Sequence, residues 1–148
     1  MLRLVPELRN VIVFTIGGVR YALELRWIRE VVSLGFVTGV PTAPGAFSGV
    51  VNLHGSILPV LDVAALLDLP AGQAARQGDG ALVLETEGVV CALRVDQIDH
   101  VASLHETGGA IIDASGRPLT LLDPAVLVRR ALELITMAAA GAVPVAAP

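Results

Sequence analysis

The sequence contains no lysine, one cysteine and few aromatic residues. All ten basic residues are arginine, and the formal net charge at pH 7 is −4. A general nucleic-acid binder needs a basic surface to pair with phosphates, so this charge argues against one. The single Cys91 has no partner for an internal disulfide, which is typical of a protein from a reducing compartment.

The sequence also has no long apolar stretch that predicts insertion into a membrane. Its longest uncharged stretch, residues 134–148, is rich in alanine and interrupted by Gly141 and Pro144. Glu7 and Arg9 break the beginning of the chain before any secretory-type apolar run develops. We therefore expect a cytoplasmic protein that does not enter the membrane directly.

The composition instead predicts a well-packed globular domain. Of the 148 residues, 54% are hydrophobic and only 16% are charged, which allows a substantial core and excludes a disordered chain. The apolar residues are mainly Val, Leu, Ile and Ala, and the many Val and Ile residues favour strands. The length fits one domain or one compact unit of two small halves.

An internal repeat organises the chain. Residues 18–34 align without a gap onto residues 88–104, and residues 55–67 align onto residues 116–128. The first pair is offset by 70 positions and the second by 61, so the second copy is nine residues shorter between its two parts. The chain is therefore two copies of one motif.

Each copy predicts a small antiparallel β unit. Apolar or alternating runs flank glycine turns, and these runs predict strands at residues 11–16, 19–25, 81–86 and 89–95. After each hairpin, the spacing of Ile28 with Val31 and of Ile98 with Val101 predicts a short helical turn.

A further hairpin and two helix starts follow. Residues 50–53 and 57–61 predict strands, and Pro59 predicts an edge or a bulge because it removes one ladder donor. Asp62 and Asp123 occupy N-cap positions before Ala- and Leu-rich segments. The final helix is expected to bury one face, formed by Leu127, Ala131, Leu134 and Ile135.

These elements predict an all-β protein of two small barrels packed together, with short helices and a C-terminal helix. We expect a single domain over residues 1–148. Its predicted parts are a first barrel at about 11–69, a linker at 70–80, a second barrel at about 81–123, a helix at 124–137 and a tail at 138–148.

Three segments resemble the CheW family, and the resemblance covers roughly residues 11–130. They are FTIGGVRYALELRWIREV (Phe14–Val31), VPTAPGAFSGVVNLHGSILPVLD (Val40–Asp62) and ALRVDQIDHV (Ala92–Val101). The middle segment is the most specific, because it matches a pattern of P-x-x-P, then G-V-[IV]-N-L-R-G and then P-[VI]-[IVL]-D-L. Its matching positions are Pro41, Pro44, Gly49, Asn52, Leu53, Gly55, Pro59 and Asp62.

The resemblance implies two five-stranded, SH3-like barrels and a non-catalytic scaffold in a chemotaxis two-component system. The implied partners are the cytoplasmic tip of a methyl-accepting chemoreceptor and the regulatory domain of a CheA-type histidine kinase. On this basis we predict receptor-binding residues Ile28, Glu30, Val31, Val51, His54 and Ile98. The predicted kinase-binding residues are Phe47, Ser48, Gly49, Ile57 and Leu58.

Two departures from the family pattern affect these surfaces. His54 stands where the pattern has arginine, and the second copy lacks most of the segment that would lie between Leu104 and Gly109. Simpler roles also compete with partner contact: Glu30 fits a solvated carboxylate, His54 a turn residue, and Ile28 core packing. We assign the lone indole, Trp27, to core or inter-barrel packing.

We do not expect an enzyme, and no cofactor or metal site is predicted. The candidate reactive groups are Cys91, His54, His100, His105, Asp62 and Asp96. Cys91 falls at a core position of a strand, and the five-residue spacing of His100 and His105 places them on opposite strand faces. A ligand-responsive small-molecule binding module without a kinase partner remains the alternative function.

Overall fold

The computed structural model describes residues 7–39, 47–69, 76–107 and 110–141. The strands are β1 (Glu7–Ile16), β2 (Val19–Glu24), β3 (Ile28–Ser33), β4 (Val37–Thr38), β5 (Phe47–Leu53), β6 (Ser56–Asp62), β7 (Gly80–Thr86), β8 (Val89–Arg94), β9 (Gln97–Thr107), β10 (Ala110–Ile112) and β11 (Pro118–Leu121). Leu25–Trp27 form one 3₁₀ turn, and the helices are α1 (Val63–Leu66) and α2 (Pro124–Gly141).

The strands form two sheets, which confirms the predicted all-β architecture. Strands β1-β2-β11-β10-β9 make a closed five-stranded barrel, here called the closed barrel. The other strands form the six-stranded sheet, in the order β3-β7-β8-β6-β5-β4. Val32 and Val37, from its two edge strands, pack against the same small core that contains Val60. The six-stranded sheet therefore curls around its own interior.

The two repeat copies exchange their hairpins, and this corrects the predicted barrel boundaries. The β1–β2 hairpin of the first copy pairs with β9 and β11 of the second copy. The β7–β8 hairpin of the second copy pairs with β3 and β6 of the first. Neither residues 11–69 nor residues 81–123 form a barrel alone. Local alternation predicts a hairpin, but it carries no information about which sheet that hairpin joins.

The main hydrophobic core lies between the two sheets. Phe14 and Leu23 of the closed barrel are fully buried there with Leu82 and Leu93 of the six-stranded sheet. Trp27 packs against this core as predicted, and the Arg26 guanidinium lies 4.7 Å from its ring centroid. The 3₁₀ turn that holds Trp27 carries the chain from one sheet to the other.

Both predicted helix caps are confirmed. The Asp62 side chain accepts a hydrogen bond from the Ala64 backbone N–H at 3.1 Å, and Asp123 accepts one from Ala125 at 2.9 Å. The final helix is longer than the predicted 124–137, because α2 continues to Gly141. Its buried face contains Leu127, Val128 and Ala131, with Leu134 packed at the edge, while the Ile135 side chain lies outside the described part.

The two predicted helical turns were wrong, whereas the prediction for Pro59 was confirmed. Residues 28–31 and 98–101 are strand rather than helical turn, since the 3₁₀ turn comes earlier and β9 begins at Gln97. Strand β6 lies between β5 and β8 in its sheet, but its ladder to β8 starts only at Val60. Pro59 therefore occupies a stretch that is paired on one side only, which is locally an edge, as its missing donor predicts.

Candidate interaction surfaces

The main core continues to the protein surface along β3. Val31 lies directly opposite Leu82, and Leu82 is fully buried between the two sheets. Directly opposite residues on neighbouring strands share a face, so Val31 is on the face that packs against the closed barrel. Its side chain is nevertheless 48% exposed. Val31 therefore extends the inter-sheet core into solvent.

Strand β9 contributes the equivalent position from the closed barrel. Val101 lies opposite Ile12, a buried member of the same core, and is 60% exposed. Ile98 and Ile28 lie deeper, opposite Phe14 and Leu84 respectively, and both pack against the core.

Strands β3 and β9 approach each other at Gly80. Gly80 pairs with Ser33 at the end of β3, and a Cβ on Gly80 would lie 3.4 Å from Cδ1 of Ile98. We call the apolar surface formed by Ile28, Val31, Ile98 and Val101 the seam groove. Its apolar character suits contact with the apolar face of a partner helix.

The seam groove is made by equivalent residues of the two repeat copies. Adding the offset of 70 converts Ile28 into Ile98 and Val31 into Val101. Sequence reasoning placed Ile28, Val31 and Ile98 in the receptor site but missed Val101. The repeat itself held the signal, because Val101 is the counterpart of Val31.

A second exposed apolar surface lies on the β5–β6 hairpin. Ile57 is 63% exposed and lies opposite the exposed Asn52, while Pro59 is half-buried on the same face. We call this face, formed by Asn52, Ile57 and Pro59, the hairpin surface. Leu58 and Val51 face the other way, into the core of the six-stranded sheet. Their predicted contact roles are therefore corrected: both side chains support the surface from beneath.

The remaining predicted kinase contacts have mixed positions. Ser48 is half-buried, and Phe47 is partly buried against the main core. Gly49 is buried, with φ of 146°, and a Cβ there would lie 2.9 Å from the carbonyl carbon of Thr38 and closer still to its oxygen. Gly49 thus allows β4 to approach β5, so its role is in packing. The Pro41–Pro44 part of the motif lies outside the described residues.

Charged side chains surround one end of the six-stranded sheet, here called the mouth. Nε2 of His54, at the tip of the β5–β6 hairpin, lies 3.3 Å from Oε2 of Glu30 on β3. Nε of Arg29 lies 3.4 Å from Oε2 of Glu85 on β7. Apolar residues line the cleft beneath these charges, namely Leu53, Leu58, Val83 and Val90.

Arg94 forms a buried ionic link beside the main core. Its guanidinium donates to Asp79 at 3.1 Å and to Asp96 at 3.0 Å. Burial raises the pKa of Asp79, but hydrogen bonds from the Arg76 backbone and from Arg94 together hold it below its ordinary value. Asp96 also accepts a hydrogen bond from the Gly17 backbone at 2.7 Å. The link therefore fastens the β1–β2 turn to the end of β8.

The candidate reactive groups do not assemble into a catalytic site. Cys91 is fully buried, and burial raises the pKa of its thiol to about 11, so the thiol is protonated near neutral pH. His100 and His105 are exposed on β9, and Asp62 and Asp96 have the capping and pairing roles described above. Among the described residues, no group of three or more His, Cys, Asp or Glu side chains is placed to hold a metal.

No helix in the described ranges is long and apolar enough to cross a membrane.

Comparisons with known proteins agree with one another. Residues 10–132 match the family model of the CheW-like domain. The chain is 31% identical over 97 residues to the "Probable chemotaxis protein CheW" of Rhizobium etli, covering 65% of this chain and 61% of that protein. It is 26% identical over 98 residues to the "Chemotaxis protein CheW" of Rhizobium meliloti, covering 66% and 63%. These matches span just over three fifths of each relative's length.

A solved structure has the same fold. The scaffolding protein TtCheW from Thermoanaerobacter tengcongensis superposes with a TM-score of 0.70 at 20% identity, covering 83% of this chain and 92% of that one. The family match extends over most of the chain and includes strands of both sheets and the first half of α2. The chain belongs to the family of CheW-like domains.

Proposed function

We propose that this protein is a non-catalytic cytoplasmic adaptor that couples chemoreceptors to a CheA-type histidine kinase. The seam groove is the observation that carries the proposal. In a member of the CheW-like family, it exposes Val31 and Val101, which the repeat relates, beside the partly buried Ile28 and Ile98 that pack against the inter-sheet core. An exposed apolar strip continuous with a core is typical of a protein-binding surface.

The receptor tip is assigned to the seam groove. A helix of the receptor would place apolar side chains between β3 and β9 and cover Val31 and Val101. Full burial of a valine side chain contributes about 1.5–3 kcal/mol, so covering the exposed half of each contributes roughly 1 kcal/mol. Glu30 and His54 lie at the mouth, next to β3, where they can contact polar groups of the same partner.

The kinase regulatory domain is assigned to the hairpin surface. Ile57 is the most exposed of its apolar residues and projects from a regular hairpin, so it can pack on a partner barrel without a change of fold. Phe47 and Ser48 lie at the other end of β5 and extend this surface toward the main core.

Two charge-insertion variants test the two assignments separately. Val31→Asp is expected to abolish binding of a receptor-tip fragment and to leave kinase binding intact, whereas Ile57→Asp is expected to do the reverse. Val126→Asp is the matched control, because Val126 is 52% exposed on α2, away from both surfaces. All three should keep the wild-type circular dichroism spectrum, since exposed substitutions change stability by about 0.5 kcal/mol or less.

The results separate the alternatives clearly. If Val31→Asp and Ile57→Asp both bind both partners normally, the surface assignments are wrong. If the wild type binds neither partner but melts at a higher temperature with a small molecule present, the ligand-binding alternative is favoured instead.

The shortened second copy predicts the stoichiometry of the kinase complex. In the six-stranded sheet β4 pairs with β5, whereas in the closed barrel the end of β9 makes the equivalent pairing with β10, and the nine-residue difference between the offsets shortens the connection between those paired strands. We propose that only the six-stranded sheet offers a full kinase contact, so the complex saturates at one-to-one. Light scattering of the mixture at micromolar concentration should show no ring-sized particles, and their appearance would contradict this interpretation.

A further inference from the structure

The contact between His54 and Glu30 joins two distant parts of the six-stranded sheet. Strands β7 and β8 lie between β3, which carries Glu30, and β6 of the hairpin that carries His54. The two side chains nevertheless meet across the mouth, with Nε2 of His54 at 3.3 Å from Oε2 of Glu30. This contact therefore links the tip of the β5–β6 hairpin to the opposite edge of the sheet.

At the mouth, Arg29 pairs with Glu85, and His54 is the basic group that pairs with Glu30. The charged groups at this end of the sheet are Glu30 and Arg29 from β3, Glu85 from β7, which pairs with Arg29 at 3.4 Å, and Glu87 in the β7–β8 turn. Strands β6 and β8 contribute Ser56, Leu58 and Val90, which carry no charge. Protonation of His54 therefore adds one positive charge directly beside the Glu30 carboxylate.

Histidine changes its charge within the physiological pH range, whereas arginine does not. The contact with Glu30 is an ion pair only while the imidazole is protonated. The turn itself remains in either state, because His54 and Gly55 have φ of 51° and 85° and the Gly55 N–H donates to the Asn52 side chain at 3.0 Å. Protonation thus changes how firmly the hairpin tip is held against β3.

We propose that protonation of His54 locks the β5–β6 hairpin tip onto Glu30 and thereby strengthens binding of the kinase regulatory domain to the hairpin surface. The proposal rests on the proposed function, because it names a regulation of that surface. Ile57 lies three residues after His54 on the same hairpin. A hairpin that is already fixed loses less conformational freedom on binding, so the complex is tighter when the pair is formed.

The test measures kinase binding as a function of pH. Titration calorimetry at about pH 6 and pH 8 uses the wild type, the permanently neutral His54→Gln and the permanently charged His54→Arg, all with the same CheA-type regulatory domain. Exposed ion pairs contribute little, so the wild type is expected to bind about two- to five-fold tighter at the lower pH. His54→Gln should stay at the weaker affinity and His54→Arg at the tighter one.

Comparison among the variants separates this effect from titration of the kinase. A pH dependence shared by all three proteins belongs to the kinase, and an identical pH dependence in wild type and His54→Gln would overturn the proposal. Glu30→Gln removes the negative charge that pairs with the protonated imidazole and should abolish the pH dependence as His54→Gln does.

A measurement without the kinase tests the lock itself. Backbone ¹⁵N relaxation should show that the Gly55 and Ser56 amides become more ordered from pH 8 to pH 6 in the wild type, but not in Glu30→Gln. Equal order at both pH values in the wild type would refute the lock. If the tip orders as expected but no variant binds the kinase at either pH, the proposed function fails together with its regulation, while the intramolecular pair stands.

Discussion

Replacing Gly49 by alanine is expected to destabilise the protein through one defined contact. Gly49 combines φ of 146°, a conformation nearly restricted to glycine, with close approach to the Thr38 carbonyl group on β4. The backbone strain costs about 1–3 kcal/mol and forced overpacking costs about the same, so we expect a loss of roughly 2–6 kcal/mol in the free energy of unfolding. The clash between the new Cβ and the Thr38 carbonyl group is relieved only if the Thr38 backbone moves away. We therefore expect β4 to detach from β5.

Urea denaturation followed by circular dichroism measures this loss, and hydrogen exchange locates it. Protection should fall most at Val37 and Val51, which pair across β4 and β5, and in the closed barrel by no more than the global loss of stability. Gly116→Ala is the control, because Gly116 has φ of 82° but a Cβ there would meet no atom within 4 Å. Gly116→Ala should lower the free energy of unfolding by the backbone strain alone, about 1 kcal/mol. Equal losses in the two variants would show that contact with Thr38 contributes nothing.

Three further predictions follow from buried or capping groups. Because the pKa of Cys91 is about 11, only about one thiol in a thousand is ionised at pH 8, so thiol reagents should label the native protein only as fast as it unfolds. The lowered pKa of Asp79 stabilises the folded protein at pH values above 3.8, the ordinary pKa of the carboxyl group. This stabilisation is lost as the pH falls through the lower pKa of the folded state. Asp79→Asn should therefore lose less stability than the wild type between about pH 5 and pH 3 in urea titrations. Asp123→Ala should lower the free energy of unfolding by about 0.5–2 kcal/mol, since the Ala125 N–H loses its cap, and an unchanged urea midpoint would contradict that role.

The sequence predicted the hairpins, the caps and the buried Cys91 because each depends on neighbours a few residues away. Alternation identifies strands and Asp before an apolar segment identifies a helix start, whatever the rest of the chain does. Pairing between hairpins depends on long-range contacts, so the exchange of hairpins between copies was not visible. The prediction of Val51 and Leu58 as contacts failed for a related reason. The alternating strand pattern shows that their faces differ from that of Ile57, but not which face is solvent.

For the seam groove, in contrast, the sequence contained a signal that was not used. The repeat relates Val31 to Val101, and a surface built on a pseudo-two-fold arrangement uses equivalent positions from both copies. The charged mouth was beyond sequence reasoning, because Glu30 and His54 are 24 residues apart on strands that meet only through the curl of the sheet.

The exchange of hairpins also determines how this protein can fold. The β1–β2 hairpin is made before its partners β9 and β11, which end at Thr107 and Leu121. The closed barrel therefore cannot form until Leu121 has been synthesised, and the six-stranded sheet must wait for β7 and β8. Pairings between such distant residues slow folding, because the chain loses loop entropy before the contacts form. We expect the two sheets to fold and unfold in a single cooperative transition, since each sheet contains strands from both halves of the chain.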